Sequence, residues 1–211
     1  MADVELICWD FGNTLADERW LRHPHPDVPD WEDVFDREMG KNERLDEDWN
    51  LGLASVEDLA GHLASAFDDL DETAIIQHLE EASRRVVFFP EARASLEAAK
   101  GRVMQAIVTV NPDIFTNVVV PSFNLNEFVD ATVASWQMGS RSKVVLAQEA
   151  RRALGFDPVD LSRTLLIDNK EANIEEFANA GGQVYLFTGD QDFAKDRSLG
   201  ILPPALWLAA P

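Results

Sequence analysis

The chain has 211 residues, which suits one α/β domain or a core domain with a small insertion. Hydrophobic residues make up 46% of it and charged residues 27%, the balance of a globular protein with a substantial core. The formal net charge is -20 and no basic run offsets it, which excludes nucleic acid and anionic membranes as main partners.

Such an acidic surface also repels a free anionic substrate. A phosphate site would therefore need a local positive potential, from a metal, a lysine or backbone amides. Cys8 is the only cysteine, so no intrachain disulfide is possible. No signal peptide is recognised and no apolar run approaches the ~20 residues of a membrane span, so we expect a cytoplasmic protein. Nothing in the sequence indicates an oligomeric state.

Short apolar runs bounded by turn residues predict buried strands along the chain. The predicted strands are 4–9, 103–108, Ala131–Ala134, 164–167 and 183–187. The first, second and fourth of these runs end directly at a polar residue. Buried strands of this kind are typical of a parallel sheet covered on both faces.

Helical patterns occupy the stretches between these runs. From 31 to about 85 three apolar stripes predict an all-helical segment, and Ser55 with Asp58 resembles a capping box at one of its helices. Further helices are predicted over 92–100, 143–154 and 173–180, the last two of them closed by a glycine.

Alternation of strands and helices predicts an α/β fold with a doubly wound, Rossmann-like parallel sheet. We expect residues 1–15 and 86–211 to form the core domain and 16–85 an inserted, small α-helical cap. Ligands bind at the carboxyl ends of the strands in such sheets. Asp10, Thr109 and Asp168 each follow a predicted strand, so we expect them at one edge of the sheet.

Four short motifs resemble those of the haloacid dehalogenase (HAD) superfamily, in the superfamily's order. Residues 6–15, LICWDFGNTL, resemble the first motif, and Thr109 with Asn111 close behind resembles the second. Lys143 resembles the third, and residues 168–173, DNKEAN, resemble the fourth. The motifs span nearly the whole chain, and the helical segment lies where the superfamily inserts its cap.

The resemblance implies roles for these residues. Asp10 would be the nucleophile, forming an aspartyl-phosphate with help from Thr109 and Lys143. The implied phosphate-binding residues are Gly12, Asn13, Thr109 and Asn111. A magnesium ion would be held by Asp10, the carbonyl of Gly12, Asp168 and Asn169.

Two positions depart from the superfamily pattern. Gly12 stands where phosphatases usually carry a second aspartate as general acid and base, and Asn169 replaces the second acid of the fourth motif. An amide is a weaker magnesium ligand than a carboxylate, so we expect weak metal binding. His23 or His25 could supply the missing acid and base, although a solvated loop is the simpler interpretation.

The sequence therefore favours a HAD-like hydrolase, foremost a phosphatase of a small phosphorylated metabolite such as a sugar phosphate. One alternative is a metal-independent hydrolase of the dehalogenase type. Another is a catalytically weak relative that binds a metabolite or a partner protein. Arg141, two residues before Lys143, is an alternative cation for the same site.

Overall fold

Five parallel strands form the centre of the fold. The structure, a computed structural model, describes residues 3–67 and 70–206. The strands are β1 (Leu6–Trp9), β2 (Met104–Thr109), β3 (Ala131–Ala134), β4 (Thr164–Asp168) and β5 (Gln183–Leu186). Their order across the sheet is β3-β2-β1-β4-β5, and every neighbouring pair is parallel. The predicted doubly wound α/β fold is thereby confirmed.

Alternate residues of the central strands enter two different apolar cores. In β1, Ile7 and Trp9 join one cluster, whereas Leu6 and Cys8 join the other. Both faces of the sheet must therefore be covered, as parallel sheets require. Burial raises the pKa of the Cys8 thiol to about 12, so this cysteine is an inert core residue.

Ten helices surround the sheet in the described part of the chain. In order they are α1 (Trp31–Lys41), α2 (Glu43–Asn50), α3 (Val56–Ala64), α4 (Glu72–Ser83), α5 (Pro90–Ala99), α6 (Val120–Ser122), α7 (Ser135–Met138), α8 (Lys143–Ala153), α9 (Glu171–Asn179) and α10 (Asp190–Ser198). A 3-10 turn, Glu18–Arg22, precedes α1. None of the described helices is long and apolar enough to cross a membrane.

Helices α1 to α4 occupy the segment where the sequence predicts a cap. The predicted capping box is present at α3, where Ser55 and Asp58 exchange side-chain and backbone hydrogen bonds. Apolar side chains of the segment, Trp31 and Leu59 among them, belong to the same continuous cluster as Ile7 of the sheet. The segment therefore packs as an extension of one core. Its status as a separate domain, 16–85, stays a prediction.

A close backbone contact docks the end of α2 on the core. The hydroxyl of Ser135 donates to the carbonyl of Asn50 at 2.6 Å, and the indole of Trp49 donates to Asp113 at 3.1 Å. Gly52 lies beside them with a φ of +72°, and a Cβ there would overlap the carbonyl oxygen of Trp136. Only glycine satisfies both the left-handed backbone and this approach.

We therefore predict that Gly52→Ala lowers the free energy of unfolding by more than the strain of a left-handed alanine alone would cause. Gly101 has the same φ of +72°, and no described atom lies within 4 Å of the position that a Cβ would take there, so Gly101→Ala is the matched control. The control should lose about 1–2 kcal/mol and Gly52→Ala roughly 1–3 kcal/mol more. Urea unfolding measures both, and equal losses would contradict the docking contact.

Three histidines lie where the chain enters and leaves the helical segment. The ring of His23 contacts the carbonyl of Arg85 at 3.0 Å, and the ring of His78 contacts the carbonyl of His23 at 3.0 Å. His25 is buried, with its ring centroid 4.6 Å from that of His78. The expectation of a solvated loop is therefore wrong for His25, which packs under Trp31.

This arrangement makes stability depend on pH. Burial, then the neighbouring His25, lowers the pKa of His78 to about 4 from its ordinary 6.5. Between these values the unfolded chain binds a proton that the folded chain does not. We predict that unfolding free energy falls as the pH decreases from about 6.5 to 4, and that His78→Gln reduces this slope. Chemical denaturation of both proteins across this pH range measures the slope, and an equal slope in the two would contradict the role of His78.

Candidate active site

The carboxyl ends of three adjacent strands bring three polar side chains together. Asp10 follows β1, Thr109 ends β2 and Asp168 ends β4, and all three side chains are buried. β1 lies between β2 and β4, so Asp10 is central. This is the edge of the sheet at which the sequence analysis places them, because parallel strands end on the same side.

Lys143 is the cation of this site. It is the first residue of α8, which is capped by the Ser142 hydroxyl, and its side chain is only 1% exposed. The Nζ atom donates to Oδ1 of Asp10 at 2.5 Å and to the carbonyl of Val108 at 2.7 Å. It also lies 3.4 Å from Oδ2 of Asp168. One buried ammonium group thus serves two buried carboxylates.

Arg141, the alternative cation, is exposed and lines the cleft above Asp10. It is not paired with a carboxylate in the described residues, whereas Lys143 is. The lysine rather than the arginine therefore neutralises Asp10 directly.

The fourth motif holds Asp168 in place. Oδ1 accepts from the backbone amide of Lys170 at 2.8 Å, and Oδ2 accepts from the side-chain amide of Asn173 at 2.9 Å. Burial and the negative charge of Asp10 raise the pKa of Asp168, while Lys143 opposes the shift. Asp168 therefore acts as a fixed neighbour of Asp10, since its oxygens already have donors.

The loop after β1 leaves backbone amides available near Asp10. The carbonyl of Phe11 accepts from the amides of Thr14, Leu15 and Ala16, which folds the loop into a tight turn. Within the described residues no backbone acceptor takes the amides of Phe11 and Gly12. Amides without partners beside a cation form a concavity suited to an anion.

Thr109 is oriented from the neighbouring strand. Its hydroxyl accepts a hydrogen bond from the side-chain amide of Asn111 at 2.7 Å. Because this bond uses a lone pair of the oxygen, the hydroxyl group can still donate its proton to another acceptor. Both residues line the cleft that contains Asp10.

A cleft of about 540 Å³ opens above these residues. The wall of the cleft opposite Asp10 is formed by the helical segment, including α1 and α2. The segment therefore covers the edge of the sheet at which the strands end. Besides Lys143, three cationic side chains line the cleft: Arg22, Arg141 and Lys170. Five acidic side chains line the cleft as well, and Arg22 pairs with Asp36. Arg141 and Lys170 are therefore the cleft cations that make no ion pair among the described residues.

Two predicted site residues lie elsewhere. Asn13 and Asn169 line a separate recess beside Phe89 and Phe187, not the Asp10 cleft. Asn13 has a φ of +55°, and its side chain accepts from the amide of Glu18 at 3.4 Å. The roles in phosphate and metal binding that the resemblance implies for Asn13 and Asn169 stay untested. Because the recess is separate from the Asp10 cleft, the structure does not support these roles.

The two histidines also lie outside the cleft. His23 lines another recess and His25 is buried under the helical segment. Neither is therefore placed to act as general acid or base on a ligand at Asp10.

Several cleft residues were not recognised from the sequence. Asn173 positions Asp168, and its place at the end of the fourth motif was the available signal. Lys170 lies inside the fourth motif, although no role was expected of it, whereas Arg22 lines the cleft without any local pattern that predicts it. Only packing of the helical segment brings Arg22, 12 residues after Asp10 in sequence, back over the sheet edge.

Comparison with known proteins identifies the fold. No family model and no curated protein sequence matches the chain. A predicted HAD-like family hydrolase from Porphyromonas gingivalis matches in structure at 16% identity, over 96% of this chain and 100% of its own, with a TM-score of 0.68. The L-2-haloacid dehalogenase from Xanthobacter autotrophicus matches at 16% identity, over 96% and 86%, with a TM-score of 0.64.

A HAD family enzyme from Bacteroides thetaiotaomicron, solved in complex with magnesium and inorganic phosphate, matches at 13% identity. The match covers 88% of this chain and 95% of that one, with a TM-score of 0.64. This chain has the HAD-like fold. The motif resemblance and the architecture agree on it independently.

The candidate site offers few metal donors. No group of three or more acidic, histidine or cysteine residues in the described chain could hold a metal ion. Magnesium, however, often uses one or two carboxylates and takes its other oxygens from water and substrate phosphate. Asp10 and Asp168 with the carbonyl of Gly12 fit that smaller donor set.

The buried ion pairs of the candidate site should have a measurable effect on stability. Lys143→Met would leave Asp10 and Asp168 without a counter-charge, so we predict a loss of about 3–5 kcal/mol in unfolding free energy. The loss should be smaller in an Asp10→Asn background, where one carboxylate is already neutral.

Lys41→Met is the control for this measurement. Lys41 has a 60% exposed side chain, and its partner Glu38 keeps a second cation, Arg37, so removal of Lys41 should change stability by less than about 1 kcal/mol. Equal losses at the two lysines in chemical denaturation would refute the buried role of Lys143.

Proposed function

We propose that this protein is a HAD-like hydrolase that removes the phosphoryl group from a small phosphorylated metabolite. The observation that carries the proposal is the buried contact between Asp10 and Lys143 on the floor of the cleft. A carboxylate held beside a cation and partnerless amides can attack phosphorus while the transferring group is stabilised.

Each residue at the sheet edge would have one task. Asp10 forms the bond to phosphorus through the oxygen that does not accept from Lys143, and an aspartyl-phosphate results. Lys143, the hydroxyl of Thr109 and the amides of Phe11 and Gly12 stabilise charge on the phosphoryl oxygens. Water then hydrolyses the aspartyl-phosphate and restores Asp10.

The size and charge of the cleft support a metabolite rather than a minimal substrate. Small-molecule sites usually enclose about 300–1,000 Å³, and the volume of about 540 Å³ falls in that range. A haloacid of two or three carbons would leave most of this space empty. Arg141 and Lys170, which make no ion pair among the described residues, would attract an anionic substrate, such as a sugar phosphate.

Magnesium would be held by Asp10, Asp168 and the carbonyl of Gly12. When bound, it would neutralise charge on the phosphoryl group. Lys143 already neutralises Asp10, and Asp168 already accepts two amide hydrogen bonds, so we propose weak metal binding.

We predict that Asp10→Asn abolishes turnover and leaves the fold unchanged, because the amide is nearly isosteric but a far poorer nucleophile. Lys143→Ala should reduce turnover by about 100-fold or more, because charge stabilisation in such sites is worth roughly 3 kcal/mol. Asp33→Asn, on the exposed face of α1, is the control and should retain wild-type rates. Initial rates on an aryl phosphate with magnesium, beside circular dichroism, measure these effects.

A substrate panel distinguishes the possible functions. It should contain aryl and sugar phosphates and short haloacids, each with and without magnesium. Turnover of haloacids alone would replace the phosphatase proposal with the dehalogenase alternative. No turnover of any member would leave a metabolite- or partner-binding protein and refute the hydrolase.

A further inference from the structure

The space beside Gly12 is occupied by another carboxylate. A Cβ built on Gly12 would lie 3.2 Å from Cβ of Glu18 and 3.9 Å from its Oε2. The side chain of Glu18 thus lies against the position from which a side chain at residue 12 would extend, with one carboxyl oxygen within 4 Å of it. Glu18, Gly12 and Asp10 line the same cleft.

The backbone fixes Glu18 in this place. The amide of Asn13 donates to the carbonyl of Ala16 at 2.7 Å, and the amide of Glu18 is 3.4 Å from Oδ1 of Asn13. The amide of Asp17 donates to the carbonyl of Val87 at 3.0 Å, which ties the turn to the returning chain. Glu18 is therefore held by the same loop that carries Asp10.

Glu18 is also not held by a cation in the described part of the chain. Its carboxylate makes no ion pair among the described residues, whereas Asp36 across the cleft pairs with Arg22 at 2.5 Å. Lys143 is engaged with Asp10, and the histidines lie outside the cleft. An exposed glutamate on the cleft wall can reach bulk water between turnovers.

From this geometry we propose that Glu18 is the general acid and base of the reaction at Asp10, an inference that rests on the proposed phosphatase function. Glu18 supplies the carboxyl group that Gly12 lacks, from a position six residues later in the chain. Asn13, with a φ of +55°, allows the turn that brings Glu18 back.

Glu18 gives up one proton and regains one in each turnover. As Asp10 bonds to phosphorus and the phosphorus–oxygen ester bond breaks, the electron pair passes to the leaving oxygen, which takes the proton of Glu18 and departs as an alcohol. The Glu18 carboxylate then accepts a proton from water as that water attacks phosphorus. The bond to Asp10 breaks, phosphate leaves, and Glu18 is protonated again.

The test compares Glu18→Gln on two substrates that differ in leaving group. An alkyl phosphate needs its leaving oxygen protonated, so we expect kcat to fall by about 100-fold or more. A nitrophenyl phosphate needs little protonation, so its aspartyl-phosphate formation should slow by less than about tenfold in rapid-quench measurements. Asp17→Asn is the matched control, because it removes one charge from the same turn and keeps the capping oxygen.

The control should stay within about twofold of wild type on both substrates. If Glu18→Gln lowers the rate equally on both substrates, or on neither, the proposed role of Glu18 is overturned. The phosphatase proposal would still stand in either case. An inactive wild-type enzyme on every phosphate would overturn both.

Gly12→Asp provides a second measurement. Because Glu18 already fills the acid position, adding an aspartate there should not raise wild-type turnover of the alkyl phosphate, and crowding against Cβ of Glu18 should lower it. A rise of about tenfold or more would show that the wild-type site lacks an acid, and would overturn the proposal.

Discussion

The contact of one buried lysine with two buried carboxylates is the constraint on which the site depends. Asp10 and Asp168 end neighbouring strands, so the sheet itself forces two like charges together away from water. Lys143 offsets this repulsion from the start of α8. Burial first and the charge of Asp10 second raise the pKa of Asp168, and both follow from its place at the end of a central strand.

The proposed phosphatase activity would require positive potential close to Asp10, because the protein as a whole is strongly acidic. Here that potential comes from Lys143, from the loop amides after Asp10, and from cations on the cleft walls. Debye screening limits the repulsion by distant surface charge to roughly 8 Å at physiological ionic strength. A local cluster can therefore bind an anion although the formal charge of the chain is -20.

The helical segment is connected to the loop after β1 through the backbone. The loop that carries Asp10 continues directly into the turn that carries Glu18, and that turn pairs with the returning chain at Val87. On the other side, Gly52 permits α2 to dock against the backbone of Trp136. Movement of the segment would thus shift both the cleft wall and the proposed acid, whereas Asp10 stays with the sheet.

The sequence by itself determined the strands, the sheet edge and the local caps, because buried parallel strands read as apolar runs and a capping box lies within four residues. It therefore predicted Asp10, Thr109 and Asp168 at one edge. Tertiary structure alone decided that Asn173 rather than Asn169 faces Asp168, and that Glu18 lies beside Gly12. It also places Asp190 at the start of α5, where the carboxylate accepts from the backbone amide of Glu91, 99 residues away in sequence. Such contacts arise from packing between distant segments, which no local pattern of side chains encodes.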